Sequence, residues 1–271
     1  MKKFLTFIII LLVSGCQYNY LLEVPETRTW SAANINQIKV KTENGRIDVS
    51  ASPDTIVSAI INRRCRGEDK ADAEKYINNI IVKDTIVANQ LTLTAEIPNL
   101  STRSYGCDIS VAAKESIYLD LNTSDGQVAV AGMKKGGVVS TSNGVLNFSN
   151  TSGRMAVRTS NCQITVQAHS RTIKANTSNS KIECDITGLP INDTCELHTS
   201  NSKVILSLPS DVAASFEAST SNSEVTVTGF ATVNYSRNER TNKTGTIGNV
   251  GSGKAVIKIT TSNSDVTIQA R

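Results

Sequence analysis

The triplet Thr-Ser-Asn recurs along this 271-residue chain and limits what it can fold into more than any other feature. From residue 116 onward, successive copies of Thr-Ser-Asn/Asp begin 18, 18, 18, 22, 21 and 41 residues apart, and the last interval is close to two of the others. A period of this length is typical of stacked repeats. The Thr and the Asn or Asp of the seven copies are Thr123, Asp125, Thr141, Asn143, Thr159, Asn161, Thr177, Asn179, Thr199, Asn201, Thr220, Asn222, Thr261 and Asn263.

Apolar residues fall at fixed places on both sides of each triplet. For the copy at Thr159 they are Met155 and Val157 before it, and Ile164 and Val166 after it. Spacing of two on each side predicts two short strands that each bury one face. The triplet between them is turn chemistry, because Asn and Asp tolerate left-handed backbone and hydrogen-bond to nearby backbone groups. The apolar parity changes across the triplet, which predicts a bend or bulge there.

One repeat cannot fold alone, because its few buried side chains do not offset the entropy of ordering the whole repeat. Repeats stacked about 4.8 Å apart share backbone hydrogen bonds and one core. The chain is therefore predicted to be all-β, with a β-solenoid (β-helix-like) of about 18–22-residue rungs over residues 116–271. In such a stack the Asn and Asp side chains form a row that can pass amide hydrogen bonds from repeat to repeat.

The rest of the chain is less regular. Residues 31–115 are predicted to be a β-rich capping region with one short helix, which the amphipathic stretch Gly67–Ile80 supplies. Thr42-Glu43-Asn44-Gly45 is a loose copy of the turn. Residues 16–30 show no periodicity and are predicted to be a lipidated tether. The segment between Phe230 and Lys254 is predicted to be a long surface loop, either a binding loop or a tolerated insertion.

The first residues have the layout of a secretory signal, because two lysines precede the apolar run Phe4–Val13, which is too short to span a bilayer. The motif Val13-Ser14-Gly15-Cys16 resembles the bacterial lipobox, in which a peptidase cuts before the cysteine and its thiol receives a diacylglycerol. This resemblance implies a signal peptide at 1–15 and acyl chains such as palmitate at Cys16 as a stable membrane anchor. Gln17, in place of an Asp, indicates sorting to the outer membrane. The alternative is an ordinary secreted protein with a chance cysteine.

Charge and composition argue against a nucleic-acid partner, a metal and a cofactor. The formal charge of +4 falls to near +2 when the two lysines of the signal are removed, and aromatic residues make up 4% of the chain. This is neither the electrostatic footprint nor the stacking surface of a nucleic-acid binder, so no nucleic-acid partner is expected. No CxxC or Cys/His spacing indicates a metal, and no cofactor is expected.

Five cysteines follow the lipobox, in a compartment that permits disulfides. Cys65 and Cys107 are the predicted disulfide pair. Cys184 and Cys195 fall at buried strand positions, where they either pair or remain thiols that act as small hydrophobic residues. Because the number of these cysteines is odd, at least one cannot form a disulfide within the chain, and Cys162 is the candidate.

The sequence argues against an enzyme. Its two histidines, His169 and His198, fall at positions expected to be exposed, and no Gly-x-Ser-x-Gly elbow is present. The outward positions of the second strand of each repeat do not form a row of acidic residues that could hydrolyse a glycosidic bond. Because β-helix enzymes that act on polysaccharides exist, a carbohydrate-active enzyme is the alternative to a binding module.

The blocks LDLNTSDGQVAVAG, VVSTSNGVLNFSN and GTIGNVGSGKAVIKITTSNSDVTI resemble the bacterial "putative adhesin" β-strand-repeat domain of unknown function. The resemblance covers residues 35–271 and implies a β-solenoid in the cell envelope. We therefore expect an envelope-anchored lipoprotein that acts as a non-enzymatic binding or scaffolding (adhesin-like) module. Its expected contacts are the membrane through the lipid and a protein or glycan partner. The last strand, Val266–Arg271, is expected to be an open edge for self-association.

Overall fold

The computed structural model describes residues 20–98, 104–251 and 253–271 of the chain. The prediction of an all-β fold with one short α-helix is confirmed for these residues, 58% of the fold being strand. The strands form two large mixed sheets that do not close. The helical segments of these residues all lack the length and apolar character that crossing a bilayer requires. The predicted signal peptide and Cys16 lie outside the described residues.

The first sheet has eleven described strands, and its two edges are formed by β1 and β19. In spatial order its strands are β1 (Tyr20–Ser31), β4 (Ile56–Gly67), β7 (Tyr105–Ala113), β3 (Ile47–Ala51), β9 (Val128–Ala131), β11 (Leu146–Ser149), β13 (Ile164–Ser170), β15 (Ile182–Gly188), β17 (Val204–Leu208), β23 (Val266–Ala270) and β19 (Val225–Thr228).

The second sheet has twelve described strands, and its edges are β20 and β5. In spatial order its strands are β20 (Val233–Asn238), β21 (Asn242–Ile247), β18 (Ala214–Ser219), β22 (Ala255–Thr260), β16 (Thr194–His198), β14 (Ile173–Asn176), β12 (Arg154–Arg158), β10 (Gly136–Ser140), β8 (Tyr118–Asn122), β2 (Gln37–Lys41), β6 (Gln90–Glu96) and β5 (Ile81–Val87).

Each repeat contributes one strand to each sheet. In the copy at Thr159, β12 lies in the second sheet, β13 lies in the first, and the triplet turn joins them. Neighbouring repeats pair in parallel and in register, so that Val139 of β10 lies opposite Val157 of β12. β11 pairs with β13 in the same way. The first five repeats stack in chain order, because their nearly constant length keeps equivalent residues side by side.

The alternation of apolar and polar residues turns the apolar side chains of both sheets into one interior. Val166 of β13 is 1% exposed and Val204 of β17 is 0% exposed. The buried apolar residues form a continuous cluster from Ala32 to Ile268. Each buried Val, Leu or Ile contributes roughly 1.5–3 kcal/mol. Because neighbouring repeats share this cluster, the core continues along the whole stack.

The loose copy of the turn at Thr42 forms the same kind of connection. It joins β2 in the second sheet to β3 in the first, and these strands pair in parallel with β8 and β9 of the next repeat. Thr42 is buried, and its hydroxyl donates a hydrogen bond to the carbonyl of Cys107 at 3.1 Å. The stack of turns therefore begins before the first complete triplet.

Residues 20–31 form the edge strand β1, which corrects the tether predicted for residues 16–30. β1 pairs antiparallel with β4 along its whole length. Leu22, Val24 and Trp30 pack against the core, whereas Glu26 and Arg28 interrupt the apolar alternation. Glu26 and Arg28 form an ion pair at 2.5 Å. This charged pair hid the strand period in the sequence.

Side chains of β1 also connect the edges of the two sheets. Arg28 forms an ion pair with Asp84 of β5 at 2.6 Å, and the indole N–H of Trp30 donates to the same carboxylate at 3.1 Å. The helix α1 (Lys70–Ile77) packs against β4 and β1. It begins after Asp69, whose carboxylate accepts a hydrogen bond from a backbone N–H of the first turn.

The repeat at Thr261 does not stack in chain order. β22 lies between β16 and β18, and β23 lies between β17 and β19, with parallel pairing on both sides. The open edge predicted at Val266–Arg271 is therefore wrong, because both sides of β23 are already hydrogen-bonded. The strands preceding it in the chain, β18 and β19, leave a gap of one repeat that β22 and β23 fill.

The segment between Phe230 and Lys254 forms a hairpin, which corrects the predicted loop. β20 and β21 pair antiparallel, and β21 pairs antiparallel with β18. Glycine at Gly245 permits this pairing, because a Cβ there would lie 2.2 Å from the carbonyl oxygen of Asn234. The ring of Tyr235 meets the ring of Phe216 edge-on at 5.9 Å.

Candidate functional site

The triplet threonines are buried, and their hydroxyls hydrogen-bond to the neighbouring repeat. Thr177 donates to the carbonyls of Cys162 at 3.3 Å and Ser160 at 3.4 Å. Thr220 donates to the carbonyl of Ser264 at 2.9 Å. A buried hydroxyl without a partner costs about 1–3 kcal/mol, so each threonine favours the stacked arrangement over a separated one.

The Asn and Asp side chains form a row of hydrogen bonds along the exposed side of the turns, which we call the amide row. Each Asn Nδ2 donates to the side-chain oxygen of its neighbour at 2.7–2.9 Å. Because the amides bond to one another, the row joins repeats. In spatial order it contains Asp125, Asn143, Asn161, Asn179, Asn201, Asn263 and Asn222.

The outer face of the second sheet carries three adjoining depressions, which together we call the outer groove. The first, of about 510 Å³, lies over β8, β10, β12 and β14. The second, of about 160 Å³, shares Ala156 and Lys174 with it. The third, of about 590 Å³, lies over β18 and β20–β22 beside Tyr235. Thr194 lines the first depression and its register partner Val256 lines the third, so the depressions are continuous across β16 and β22.

Short, uncharged side chains line the middle of the first depression, and an aromatic residue stands at each end of the outer groove. Gly137, Val138 and Ala156 lie along it, and Tyr118 and Tyr235 stand at the two ends. The nine neighbouring strands from β8 to β20 span roughly 38 Å at about 4.8 Å per strand. This length fits an extended chain better than a compact ligand.

Two arginines stand on opposite sides of the outer groove. Arg154 and Arg158 flank Ala156 on β12, and both are exposed. Neither forms an ion pair with an acid of the described residues, whereas the neighbouring Lys174 pairs with Glu196 at 2.7 Å. Positions four residues apart on a strand are about 13 Å apart. The two guanidinium groups are therefore available to an anionic ligand that lies between them.

The outer face of the first sheet has a different character. Its central outward positions are largely uncharged, and the glutamate among them pairs with Lys181 at 2.5 Å. Among the described residues, the second sheet therefore presents two unpaired guanidinium groups on one strand, whereas Lys203 stands singly beside the central positions of the first sheet. The central outward residues of the first sheet are Asn147, Thr165, Glu183, Ile205 and Thr267.

The groove residues were not predicted from the sequence, although a signal for them was present. Arg158, Ala156 and Arg154 stand one, three and five places before Thr159. These are the outward positions of the first strand of a repeat, and comparing them between repeats would have identified the two arginines beside a small residue. Their location in a groove could not be predicted, because it depends on which repeats lie side by side.

His169 is buried, which contradicts the exposed position predicted for it. The register between β13 and β15 shifts between Val166 and His169, and Ala168 has a φ of 57°. This bulge turns the imidazole inward. Its Nδ1 lies 2.9 Å from the hydroxyl of Thr151, and its Nε2 lies 3.3 Å from the carbonyl oxygen of Thr172. Because a carbonyl only accepts, the neutral ring carries its proton on Nε2 and accepts the threonine hydrogen bond at Nδ1.

The surroundings of His169 do not form a catalytic triad. Burial of the imidazole lowers the pKa of His169, which favours the neutral ring. The nearby carboxylate of Asp193 accepts a hydrogen bond from the Thr172 hydroxyl at 3.0 Å instead of orienting the imidazole. Thr151 is 1% exposed, so a substrate cannot reach its hydroxyl. His198 is partly exposed and lines the second depression of the outer groove.

Cys65 and Cys107 lie close together on neighbouring strands. Cys65 of β4 stands opposite Tyr105, and Cys107 of β7 stands opposite Arg63, so the cysteines are diagonal neighbours. Both are buried, and a disulfide between them stays a prediction. Burial raises the pKa of the Cys107 thiol to about 12, which disfavours the reactive thiolate.

The other three described cysteines are buried in the repeats. Cys184 of β15 and Cys195 of β16 are hydrogen-bonded to each other in the core, and this bond and burial raise the pKa of Cys184 well above its usual value. Cys162 is 5% exposed and contacts the backbone N–H of Gly144. Within the described part of the chain, no group of three or more His, Cys, Asp or Glu side chains is placed to hold a metal ion.

No protein-family model matches the chain, and no curated protein matches it by sequence. Similar solved structures include a "putative cell adhesion protein" from Clostridium sporogenes, with 11% identity, a TM-score of 0.33 and coverage of 92% of this chain and 100% of the other. A "putative adhesin" from Bacteroides fragilis has 12% identity, a TM-score of 0.38 and coverage of 92% and 97%.

A third similar structure is a "putative lipid binding protein" from Parabacteroides distasonis, with 12% identity, a TM-score of 0.29 and coverage of 91% and 96%. The names of the first two neighbours agree with the resemblance to the bacterial "putative adhesin" domain.

The amide row predicts an unequal loss of stability at its middle and its end. Asn161→Ala removes two row hydrogen bonds, and we expect it to lower the free energy of unfolding by about 1–2 kcal/mol. Asn222→Ala removes the single bond to Asn263 and should cost about half as much. Urea denaturation of both variants measures the difference. Equal losses of unfolding free energy in the two variants would show that the hydrogen bonds between repeats do not contribute to stability.

The buried imidazole predicts a loss of stability in weak acid. The pKa of His169 is lower in the folded chain than in the unfolded chain, so the unfolded state binds more protons as the pH falls below about 6.5. The free energy of unfolding should therefore be lower at pH 5.5 than at pH 7.5. His169→Gln should reduce this difference, and His198→Gln should retain it. If the wild type and both variants lose the same unfolding free energy between pH 7.5 and pH 5.5, His169 is not the group responsible.

Proposed function

We propose that this protein is an envelope-anchored lipoprotein whose body is a β-solenoid and whose outer groove binds an extended acidic polysaccharide without cleaving it. The solenoid is supported by the pairing pattern, in which each repeat adds one strand to each sheet in parallel and in register. The function is an adhesin-like binding module.

The observation that carries the proposal is the pair Arg154 and Arg158 across the outer groove. Carboxylate or sulfate groups of a polysaccharide match guanidinium groups, which form charge-assisted hydrogen bonds in a bidentate manner. Tyr118 and Tyr235 offer faces on which sugar rings can pack. Hydroxyl and amide side chains along the groove, such as Asn192, supply hydrogen bonds to sugar hydroxyls.

The alternative is a carbohydrate-active enzyme, and the acids of the outer groove face do not favour it. Asp120 of β8 and Glu196 of β16 are four strands apart, about 19 Å, whereas the two catalytic carboxyl groups of glycosidases are about 5–10 Å apart. Glu217 of β18 is two strands from Glu196, about 10 Å and so at the upper limit of that range, but Lys258 of β22 lies between the two acids in register. Asp120 forms an ion pair with Lys39 at 2.9 Å, and Glu196 forms one with Lys174 at 2.7 Å. The groove face therefore supports binding better than hydrolysis.

Anchoring through Cys16 is part of the proposal. Only residues 17–19 stand between this cysteine and β1, so the anchor would hold the start of β1 within about 15 Å of the membrane surface. The proposed location is the outer membrane of a bacterial envelope, as Gln17 indicates.

Replacing the two arginines is expected to weaken polysaccharide binding. The wild type should bind polygalacturonate but not neutral dextran, and the double variant Arg154→Gln/Arg158→Gln should bind about tenfold or more weakly, a loss of about 1.4 kcal/mol or more. Lys203→Gln/Arg240→Gln removes the same charge elsewhere and is the matched control. Isothermal titration calorimetry measures the affinities, and a reducing-end assay on the same samples detects cleavage.

Either of two results would overturn the groove assignment. One is a wild type that does not bind polygalacturonate at low salt. The other is an equal loss of affinity in both double variants, which would assign the effect to net charge. Release of reducing ends would instead favour the enzyme.

The lipid anchor predicts that acylation depends on one cysteine. Expressed in a bacterium with an outer membrane, the wild type should incorporate labelled palmitate and sediment with membranes. Cys16→Ser should lose the label and the membrane association, while Cys162→Ser should keep both. Unchanged labelling of Cys16→Ser would refute the anchor.

A further inference from the structure

The last repeat of the chain fills a slot between two repeats that precede it in sequence. β22 pairs with β16 on one side and β18 on the other, and β23 pairs with β17 and β19. No pairing joins β16 to β18 or β17 to β19 in the described residues. Without residues 255–271, the stack would therefore have a one-repeat gap with an unpaired strand edge on each side.

The slot is specific for this segment. Ile257, Ile259, Val266 and Ile268 of the segment are each no more than 1% exposed and complete the core. The segment also completes the amide row, because Asn263 donates to Asn201 and accepts from Asn222. It completes the threonine hydrogen bonds as well, because Thr261 donates to the carbonyl of Ser202 at 3.1 Å and the carbonyl of Ser264 accepts from Thr220. An occupant must therefore supply two strands, a Thr-Ser-Asn turn and the same apolar pattern.

A second copy of this chain carries that same segment. Its residues 255–271 would make every contact in the slot that the chain's own residues make, so the two arrangements differ in the connection and not in the interface. The connection from β21 to β22 contains three glycines, Gly248, Gly251 and Gly253, of which the first two have positive φ. Glycine permits a connection to take another course at low steric cost.

We propose that residues 255–271 are an exchangeable donor segment and that two copies of the chain associate by placing this segment in each other's slot. This goes beyond the proposed function and does not depend on the outer groove. In a single chain the connection gives the segment a high effective concentration, on the order of millimolar, so dilute refolding favours the closed monomer. Exchange occurs during folding and increases with protein concentration.

Cysteine pairs across the slot test the exchange in the full-length chain. Gln269 of β23 lies opposite Ser207 of β17 and donates a hydrogen bond to its hydroxyl at 3.1 Å. Ser207→Cys and Gln269→Cys are introduced into separate chains, each in a Cys16→Ser background. The two chains are unfolded, mixed, refolded together and oxidised with oxidised glutathione, which accepts the two electrons that the thiols lose as the S–S bond forms.

A covalent heterodimer on non-reducing gels is the expected product, and its fraction should rise with protein concentration. It should exceed by about tenfold the product of a control mixture in which Ser149→Cys replaces Ser207→Cys, because only the slot holds the thiols at millimolar effective concentration. A chain carrying both Ser207→Cys and Gln269→Cys should form the bond within one chain, which verifies the register and the fold.

The proposal is overturned if the doubly substituted chain cross-links and the mixture gives no more heterodimer than the control. If the doubly substituted chain does not cross-link, the slot itself is contradicted. Arg154 and Arg158 lie on β12, outside the slot, so neither outcome decides the arginine test of polysaccharide binding, although the second would change the end of the outer groove over β22. Failure of this proposal and failure of the proposed function are therefore distinguishable.

Discussion

Parallel, in-register stacking of nearly equal repeats is the constraint on which the rest of the structure depends. Stacking satisfies the backbone groups of each strand and buries aliphatic side chains against the same residue types in the next repeat. The turns obey the same rule, because each triplet threonine reaches a carbonyl that only a neighbouring turn can provide. A repeat separated from its neighbours would lose its core and its hydrogen bonds together, and for this reason none can fold alone.

Stacking also gives the two sheets different outer faces. Residues at equivalent outward positions lie side by side, so short, uncharged side chains on neighbouring strands form a depression that crosses several strands. Val138 and Ala156 are adjacent for this reason, and Arg154 and Arg158 stand on either side of them. The turn stack, by contrast, is engaged in bonds between repeats. The groove is therefore the surface that we propose for ligand binding, and the amide row supports the scaffold that carries it.

The two ends of the stack depart from the repeat, and each does so in a way that closes the fold. At one end the long antiparallel strands β1 and β4 follow β7, and Arg28 and Trp30 of β1 contact Asp84 at the edge of the other sheet. At the other end the hairpin β20–β21 extends the second sheet beside β18. The inserted repeat belongs to this end. Because β18 and β19 join the stack only through β22 and β23, their position depends on strands that come later in the chain, and this end forms by long-range contacts.

The sequence by itself determined the repeat unit: the two strands on either side of each triplet, the turn between them, the inward residues and the membership of the amide row. These properties follow from local alternation and turn chemistry, which depend on neighbours in sequence. Tertiary structure decided that Thr261 lies between Thr199 and Thr220, that a charged pair conceals the strand β1, and that a bulge buries His169. It also decided that Arg154 and Arg158 flank a groove. Each of these depends on which backbone edge pairs with which, and in a chain of similar repeats many pairings satisfy the same local pattern, so only the packing of the complete core selects one.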